Sequence, residues 1–164
     1  MIRLLSVVSF AAVLLMAGCS VNKADIDNSL KKYFDAKKVE GCFTMLNNAD
    51  GKITVYNMEL DTMRLTPAST FKVVNSLIAL QTGVATDEHM KINWDGIVRP
   101  MKEWNKTMDM AEAFKVSSVP YYQEIARRIG HDTMKLWIDS LAYGNKNIEG
   151  PIDSFWLNNK LKIS

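Results

Sequence analysis

The pattern Ser-x-x-Lys places a hydroxyl and an amine on one face of a helix, because residues three apart in a helix are neighbours. A serine becomes a nucleophile when a base removes its proton, and a lysine beside it is such a base once its amine is uncharged. The pattern occurs in three places, at Ser20/Lys23, Ser29/Lys32 and Ser69/Lys72. The first two pairs stand in a polar, lysine-rich stretch, where we expect both side chains to be solvated. The sequence context therefore singles out the third pair.

The segment that holds Ser69 and Lys72 reads as an apolar helix. Its apolar residues recur at helical spacing between residues 68 and 82, with Pro67 just before and Gly83 just after. Ser69 would lie at the helix N-terminus, where free N–H groups favour developing negative charge. Lys72 would point into the interior, where desolvation lowers the pKa of its amine. The structural alternative is a helix-capping serine beside a lysine that reaches to solvent, and spacing alone leaves both open.

Composition excludes several classes of protein. The chain has 164 residues, 48% hydrophobic and 23% charged, which is typical of one soluble globular domain. Lys and Arg number 20 against 18 Asp and Glu, and the charges are scattered. A dedicated nucleic-acid binder would show a basic stripe. Two cysteines and two histidines also argue against a disulfide framework or a zinc site, so we expect no metal.

The first 18 residues have the pattern of an export signal. Arg3 precedes an apolar run from residue 4 to residue 17, which is shorter than the roughly 20 residues of a membrane span. The run ends in Met16-Ala17-Gly18-Cys19, which resembles a bacterial lipoprotein signal and predicts a lipid tether on Cys19. An ordinary secretory signal with an incidental Cys19 and a retained membrane anchor are the alternatives. We expect the protein in the periplasm, with or without a lipid anchor.

The second cysteine, Cys42, has two interpretations. If Cys19 is acylated, Cys42 is most simply a small buried hydrophobic residue. A disulfide between Cys19 and Cys42 is the rival in an oxidising compartment.

The sequence divides into a signal peptide at 1–18, a polar helical segment at 19–40 and a catalytic domain at 41–164. Strand-like runs at 42–46 and 53–56 flank turn residues and predict a β-hairpin. The stretch 93–107 is irregular, and helical patterns return at 108–116, 121–129 and 133–141, with Pro120 and Gly130 as breaks. The fold class is therefore α+β, with helix dominating.

Four short motifs carry a resemblance to a known family. Pro67-Ala68-Ser69-Thr70-Phe71-Lys72 closely resembles the active-site helix of class D β-lactamases, the oxacillinases. In the order of that family follow its Ser-x-Val element at 117–119, its Tyr-Gly-Asn element at 143–145 and its tryptophan-bearing loop at 153–157. The resemblance covers about residues 41–164. It implies the serine β-lactamase fold, which is similar to penicillin-binding-protein transpeptidases.

The resemblance also implies a role for each matching residue. Ser69 would attack the β-lactam carbonyl, and its backbone N–H would be one oxyanion donor. Lys72, carboxylated by carbon dioxide or bicarbonate to N6-carboxylysine, would be the general base. Ser117 would relay a proton, and Trp156 would donate its indole N–H to the carbamate. The residues expected to form the apolar wall around the lysine and the substrate pocket are Phe71, Trp104, Val119, Tyr143 and Leu157.

Several of these residues have structural alternatives. Ser117 could cap a turn before Pro120, and Trp156 could serve core packing alone. The Tyr143-Gly144-Asn145 element is as consistent with a turn as with catalysis.

The sequence departs from the family pattern at its end. Class D enzymes continue past the segment resembling residues 161–164, to a Lys-Thr/Ser-Gly strand that builds the far wall of the site, and that tripeptide does not occur here. We therefore expect an N-terminal fragment or a truncated product of such an enzyme, which lacks C-terminal sheet strands and is unstable and inactive by itself.

The function expected of the whole protein is hydrolysis of penicillin-type β-lactam antibiotics through an acyl-serine, which confers resistance. One alternative is a penicillin-binding receptor or transpeptidase-like protein that acylates without turnover. Another is a non-enzymatic lipoprotein remnant. No nucleic acid is expected as a partner, and the sequence does not set the oligomeric state.

Overall fold

A computed structural model describes residues 24–164 of the chain. The predicted signal peptide, the lipidation of Cys19 and the Ser20/Lys23 pair lie outside the described residues. The chain divides into two compact units, one up to Thr62 and the other from Met63 onward. No helix of residues 24–164 is both long and apolar enough to cross a bilayer.

The first unit contains a three-stranded sheet. Its strands are β1 (Ala24–Ile26), β2 (Phe43–Leu46) and β3 (Ile53–Tyr56), in the order β1-β3-β2. β2 runs antiparallel to β3, and β1 runs parallel to it. The predicted hairpin is therefore confirmed. The helical elements of this unit are a 3-10 turn (Asn28–Leu30), α1 (Lys31–Lys37) and α2 (Met58–Asp61).

Two expectations about this unit are wrong. The segment 19–40 is predicted to be helical, but Ala24–Ile26 form β1, and Asp27, with extended backbone, separates that strand from the helical turn. The Asp27 carboxylate accepts a hydrogen bond from Ser29 N at 2.9 Å and starts the helical turn one residue later. Cys42 is exposed rather than buried, because it directly precedes β2, whose four residues are all exposed.

The second unit is mainly helical. A 3-10 turn (Ala68–Thr70) leads into α3 (Phe71–Gln81), which confirms the predicted apolar helix. The later helices confirm the other helical patterns. They are α4 (Met110–Lys115), α5 (Val119–Ile129) and α6 (His131–Ser140). A 3-10 turn (Lys102–Trp104) and an antiparallel pair, β4 (Lys91–Ile92) and β5 (Met108–Asp109), complete the unit.

The boundaries of α4 and α5 differ from the sequence expectation. Residues 108 and 109 belong to β5, and Asp109 then caps α4 by accepting from Glu112 N at 2.9 Å. Pro120 lies inside the first turn of α5 rather than before the helix, because a helix needs no N–H donor at that position. Gly130 ends α5 as predicted, with a φ of 77°.

The core of the second unit lies where α3, α5 and α6 meet. These three helices contribute six fully buried apolar side chains, Ile78, Ala79, Ile125, Ala126, Met134 and Ile138, and Ala113 and Leu161 join them from outside. Fully buried Phe71, Phe155 and Trp156 extend this core towards the start of α3. The mixed helix and sheet content confirms the α+β class. The same core holds the N-terminal turn of α3 in place, and that turn carries Ser69 and Lys72.

Candidate active site

Three side chains meet at the start of α3. Ser69 Oγ accepts a hydrogen bond from Lys72 Nζ at 2.9 Å and a second one from Ser117 Oγ at 3.0 Å. Ser69 and Lys72 approach because one turn of helix separates them. Ser117 comes from the turn after α4. The structure thus brings together the predicted nucleophile, the predicted base and the predicted proton relay.

Lys72 is buried although it is a lysine. Its exposed fraction is 2%, while Ser69 in the preceding turn is exposed. Burial lowers the pKa of the Lys72 amine from its ordinary value of 10.5, because an apolar environment disfavours the charged form. A larger fraction of the amine is therefore uncharged near neutral pH. A buried, partly neutral amine in contact with a serine hydroxyl can act as a base.

The turn that presents Ser117 is held by backbone and side-chain contacts. Ser117 has a left-handed φ of 52°, which is uncommon for a residue with a side chain. Its N–H donates to Phe114 O at 3.1 Å, and the next N–H, of Ser118, donates to Ala113 O at 2.8 Å. Ser118, not Ser117, caps α5 by accepting from Tyr121 N. The Ser117 hydroxyl is thus left to face Ser69.

Trp156 is fully buried beside the turn that carries Ser69, and its carbonyl accepts a hydrogen bond from Ala68 N at 3.1 Å. Its ring stacks on Phe71 with centroids 5.3 Å apart and meets Phe155 edge-on at 5.1 Å. Within residues 24–164 its indole Nε1 is buried and has no hydrogen-bond partner. The indole is a donor only, and an unmet buried donor costs about 1–3 kcal/mol. This donor fits an anionic acceptor group carried by a neighbouring side chain.

The Tyr-Gly-Asn element clamps the segment that follows Trp156. The Asn145 amide donates to Lys160 O at 2.8 Å and accepts from Lys162 N at 3.0 Å. Gly144 has a φ of 55°, and a Cβ there would collide with Lys162 O. Ile163 in turn pairs with Leu65, which stands four residues before Ser69. The element therefore holds the segment that pairs with Leu65, just before the active-site turn.

The remaining predicted pocket residues have less direct placements. Tyr143 packs on Phe71 with ring centroids 5.8 Å apart. Val119 is half-buried at the start of α5, and Leu157 is 40% exposed. Trp104 donates its indole N–H to Val116 O at 3.1 Å and lines a cavity whose wall includes neither Ser69 nor Lys72. Contact of Val119, Leu157 and Trp104 with a substrate stays a prediction.

Two buried residues near Lys72 were not singled out from the sequence. The ring centroid of Tyr122 lies 5.9 Å from Lys72 Nζ, and the Tyr122 hydroxyl is 2.7 Å from Ser76 Oγ. Asn75 is fully buried and donates to Tyr122 O at 3.1 Å. The sequence feature that could have indicated Asn75 is its place three residues after Lys72, on the same helix face. These contacts join α3 to α5 about one helical turn after Lys72.

Comparison with known proteins places this geometry in a family. Residues 34–164 match the model described as the penicillin binding protein transpeptidase domain. The chain belongs to this family. It is 36% identical to β-lactamase OXA-10 of Pseudomonas aeruginosa over 160 residues, which are 95% of this chain and 60% of that relative. The resemblance to class D β-lactamases is thereby confirmed.

Solved structures of transpeptidase-domain proteins confirm the fold. A class D β-lactamase from Bacillus subtilis has a TM-score of 0.77 and 41% identity, covering 82% of this chain and 56% of that one. The C-terminal domain of the Bacillus licheniformis BlaR penicillin receptor has a TM-score of 0.81 and 33% identity, covering 90% and 59%. The chain thus spans less than two thirds of the length of these relatives.

Proposed function

We propose that the Ser69 site is the acylating centre of a serine β-lactamase that hydrolyses penicillin-type antibiotics and confers resistance to them. The observation that carries the proposal is the position of Ser69 Oγ, within hydrogen-bond distance of both Lys72 Nζ and Ser117 Oγ. The relatives named β-lactamases, at 36–39% identity, support it.

In the acylation step, the Lys72 side chain accepts the Ser69 proton while Ser69 Oγ bonds to the β-lactam carbonyl carbon. The Ser69 backbone N–H, near the positive end of α3, stabilises the negative charge on the carbonyl oxygen. The ring C–N bond then breaks, and its electron pair goes to nitrogen. Ser117 passes a proton to that nitrogen and is reprotonated from Lys72. The product is an acyl ester on Ser69, which a water molecule hydrolyses.

We also propose that Lys72 is carboxylated by carbon dioxide. Only a neutral amine can form the N–C bond to carbon dioxide, with release of a proton, and burial favours the neutral amine here. The unmet Trp156 N–H, stacked over Phe71, supplies a donor for the resulting anion. The carbamate, when present, supplies an anionic oxygen base. Phe71 and Trp156 would exclude bulk water from it.

A penicillin receptor is the second candidate function. It would form the same acyl ester but hydrolyse it very slowly. Regulatory protein BlaR1 of Bacillus licheniformis is 38% identical over 132 residues, and the BlaR receptor domain is also a structural neighbour. Both functions use the Ser69 contacts described above. The rate of release from the ester separates them.

Intact mass spectrometry after exposure to benzylpenicillin in bicarbonate buffer tests the proposal. We expect a covalent adduct of one penicillin mass on the wild-type chain and none on Ser69→Ala. Disappearance of the adduct once free penicillin is removed supports a β-lactamase, and a persistent adduct supports a receptor. A folded chain that neither forms an adduct nor hydrolyses penicillin would contradict both and favour a non-enzymatic remnant.

We further propose that residues 1–18 export the chain to the periplasm and that Cys19 carries a lipid tether. The sequence pattern at 16–19 is the support for this. Growth with a labelled fatty acid should label the wild-type chain and leave Cys19→Ser unlabelled. A wild-type chain that carries no label would contradict the tether.

A further inference from the structure

The cavity that Trp104 lines lies in the second unit, along α5. It has a volume of about 240 Å³ and runs between one face of α5 and the strands and loop of residues 91–108. Pro120 and Tyr121 belong to its helical wall, and Trp94 and Trp104 to the opposite side. Ser69, Lys72 and Ser117 do not line it. The cavity is therefore separate from the acylation site.

Positive charge predominates in the cavity wall. Its cationic residues are Lys91, Arg99, Lys106, Arg127 and Arg128. Its acidic residues are Asp95, which pairs with Arg99, and Glu124, which pairs with Arg127 and Arg128. Two carboxylates from outside the wall, Glu112 and Asp153, pair with Lys106 and Arg127. The five cationic residues therefore face four carboxylates, which leaves a net charge of +1.

Lys91 carries that excess charge. It is exposed and, in the part of the chain that the structure describes, forms no ion pair within 4.0 Å. Its cross-strand neighbour is Asp109, but that carboxylate caps α4 at Glu112 N instead. Lys91 is thus available to an anion that enters the cavity.

The aromatic residues of the wall already donate each of their polar hydrogens to a backbone carbonyl. The indole N–H groups donate to backbone carbonyls, that of Trp94 to Ile97 O and that of Trp104 to Val116 O, both at 3.1 Å. The Tyr121 hydroxyl donates to Met90 O at 2.8 Å. These rings therefore present apolar surface, while the charged groups of the wall select an anion. The volume is smaller than the roughly 300–1,000 Å³ that holds drug-sized ligands.

From this combination we infer that the cavity binds a small organic anion composed of one aromatic ring and a carboxylate. The carboxylate would lie at Lys91 and the arginines of α5, and the ring would lie against Trp94 and Trp104. A neutral ring would lack the ionic contact, and a bare inorganic anion would lack the apolar one. The site does not depend on the reaction at Ser69.

The chain has four tryptophans, so its indole N–H signals in a ¹H–¹⁵N NMR spectrum report on the cavity directly. We expect sodium benzoate to shift the signals of Trp94 and Trp104 saturably and to leave those of Trp137 and Trp156 in place. Benzamide and inorganic phosphate should each bind at least about tenfold more weakly than benzoate. Single Trp→Phe variants assign the signals.

Two charge-reversal variants make the test specific. Lys91→Glu should weaken benzoate binding about tenfold or more, because it places an anion at the cavity. Lys115→Glu changes the net charge equally on an exposed residue outside the cavity and should leave binding within about twofold. Ser69→Ala should bind benzoate like the wild type, even if no penicillin adduct ever forms.

Three results would overturn the inference. One is a well-dispersed spectrum in which benzoate moves neither Trp94 nor Trp104. Another is equal weakening by Lys91→Glu and Lys115→Glu, which would show general charge attraction. The third is equal affinity for benzoate and phosphate, which would remove the role of the rings.

Discussion

Ser117 Oγ and Ser69 Oγ lie 3.0 Å apart, although 48 positions separate the two residues in the sequence. The contact depends on the left-handed turn at Ser117, which follows α4 and precedes the cap of α5. A non-glycine residue in this conformation carries strain of about 1–3 kcal/mol, which the surrounding contacts must offset. The hydroxyl of Ser117 is therefore placed by the fold of three helices rather than by local sequence.

The neighbouring serines of this turn should separate function from stability. Ser117→Ala should slow acylation by penicillin about 10²–10⁴-fold, because it removes a proton relay while keeping the backbone. Ser118→Ala removes the α5 cap and should lower stability by about 1 kcal/mol. Adduct formation followed by mass spectrometry and thermal unfolding measure the two effects. A folded Ser118→Ala that acylates more slowly than Ser117→Ala would contradict this division of roles.

Because Lys72 is buried, we expect the free energy of unfolding to increase as the pH rises. The pKa of its amine is lower in the folded chain than the ordinary 10.5, so between the lowered pKa and 10.5 the unfolded chain binds more protons. Stability therefore increases with pH across that window, and the penalty for burying the charge is fully present only below it.

Lys72→Met keeps the length of the side chain and removes the charge. We expect it to raise the free energy of unfolding at pH 7 by about 0.5–2 kcal/mol and to abolish acylation. The gain over the wild type should shrink as the pH approaches 10.5. Chemical denaturation of both proteins at several pH values measures it. A gain that stays constant with pH would show that burial of the amine is not its cause.

The site was more predictable from the sequence than the fold around it. Ser69 and Lys72 are three apart in a helix with a strong apolar pattern, so their contact follows from local geometry. The strand β1 is missing from the prediction for segment 19–40, because three residues beside a helix cap carry too little pattern to separate strand from helix. Asn75 and Tyr122 were missed because their contacts join two helices, and no local pattern encodes such a contact.

Trp156→Phe tests the acceptor proposed for the indole N–H. Phenylalanine retains the stacking on Phe71 but has no donor, so the variant should lose the ¹³C NMR signal of a lysine carbamate in ¹³C-bicarbonate. Trp137→Phe, at a half-buried tryptophan of α6, should keep that signal and is the matched control. Both variants should remain folded by circular dichroism. A full carbamate signal in Trp156→Phe would show that the indole does not hold the group.

Gly144→Ala should be far more damaging than an alanine at another glycine with a similar backbone. Gly144 and Gly83 both have positive φ, of 55° and 72°, so either substitution carries a conformational penalty of about 1–2 kcal/mol. At Gly83 no atom of residues 24–164 lies within 4 Å of the added Cβ, whereas at Gly144 the Cβ would collide with the backbone at Lys162. The excess loss of stability in Gly144→Ala therefore reports the collision at Lys162.

Gly144→Ala should also slow acylation at Ser69, because Ile163, next to Lys162, pairs with Leu65 ahead of the nucleophile. Thermal unfolding and adduct formation on both variants measure these effects, and equal losses at the two glycines would show that the clamp does not hold the site.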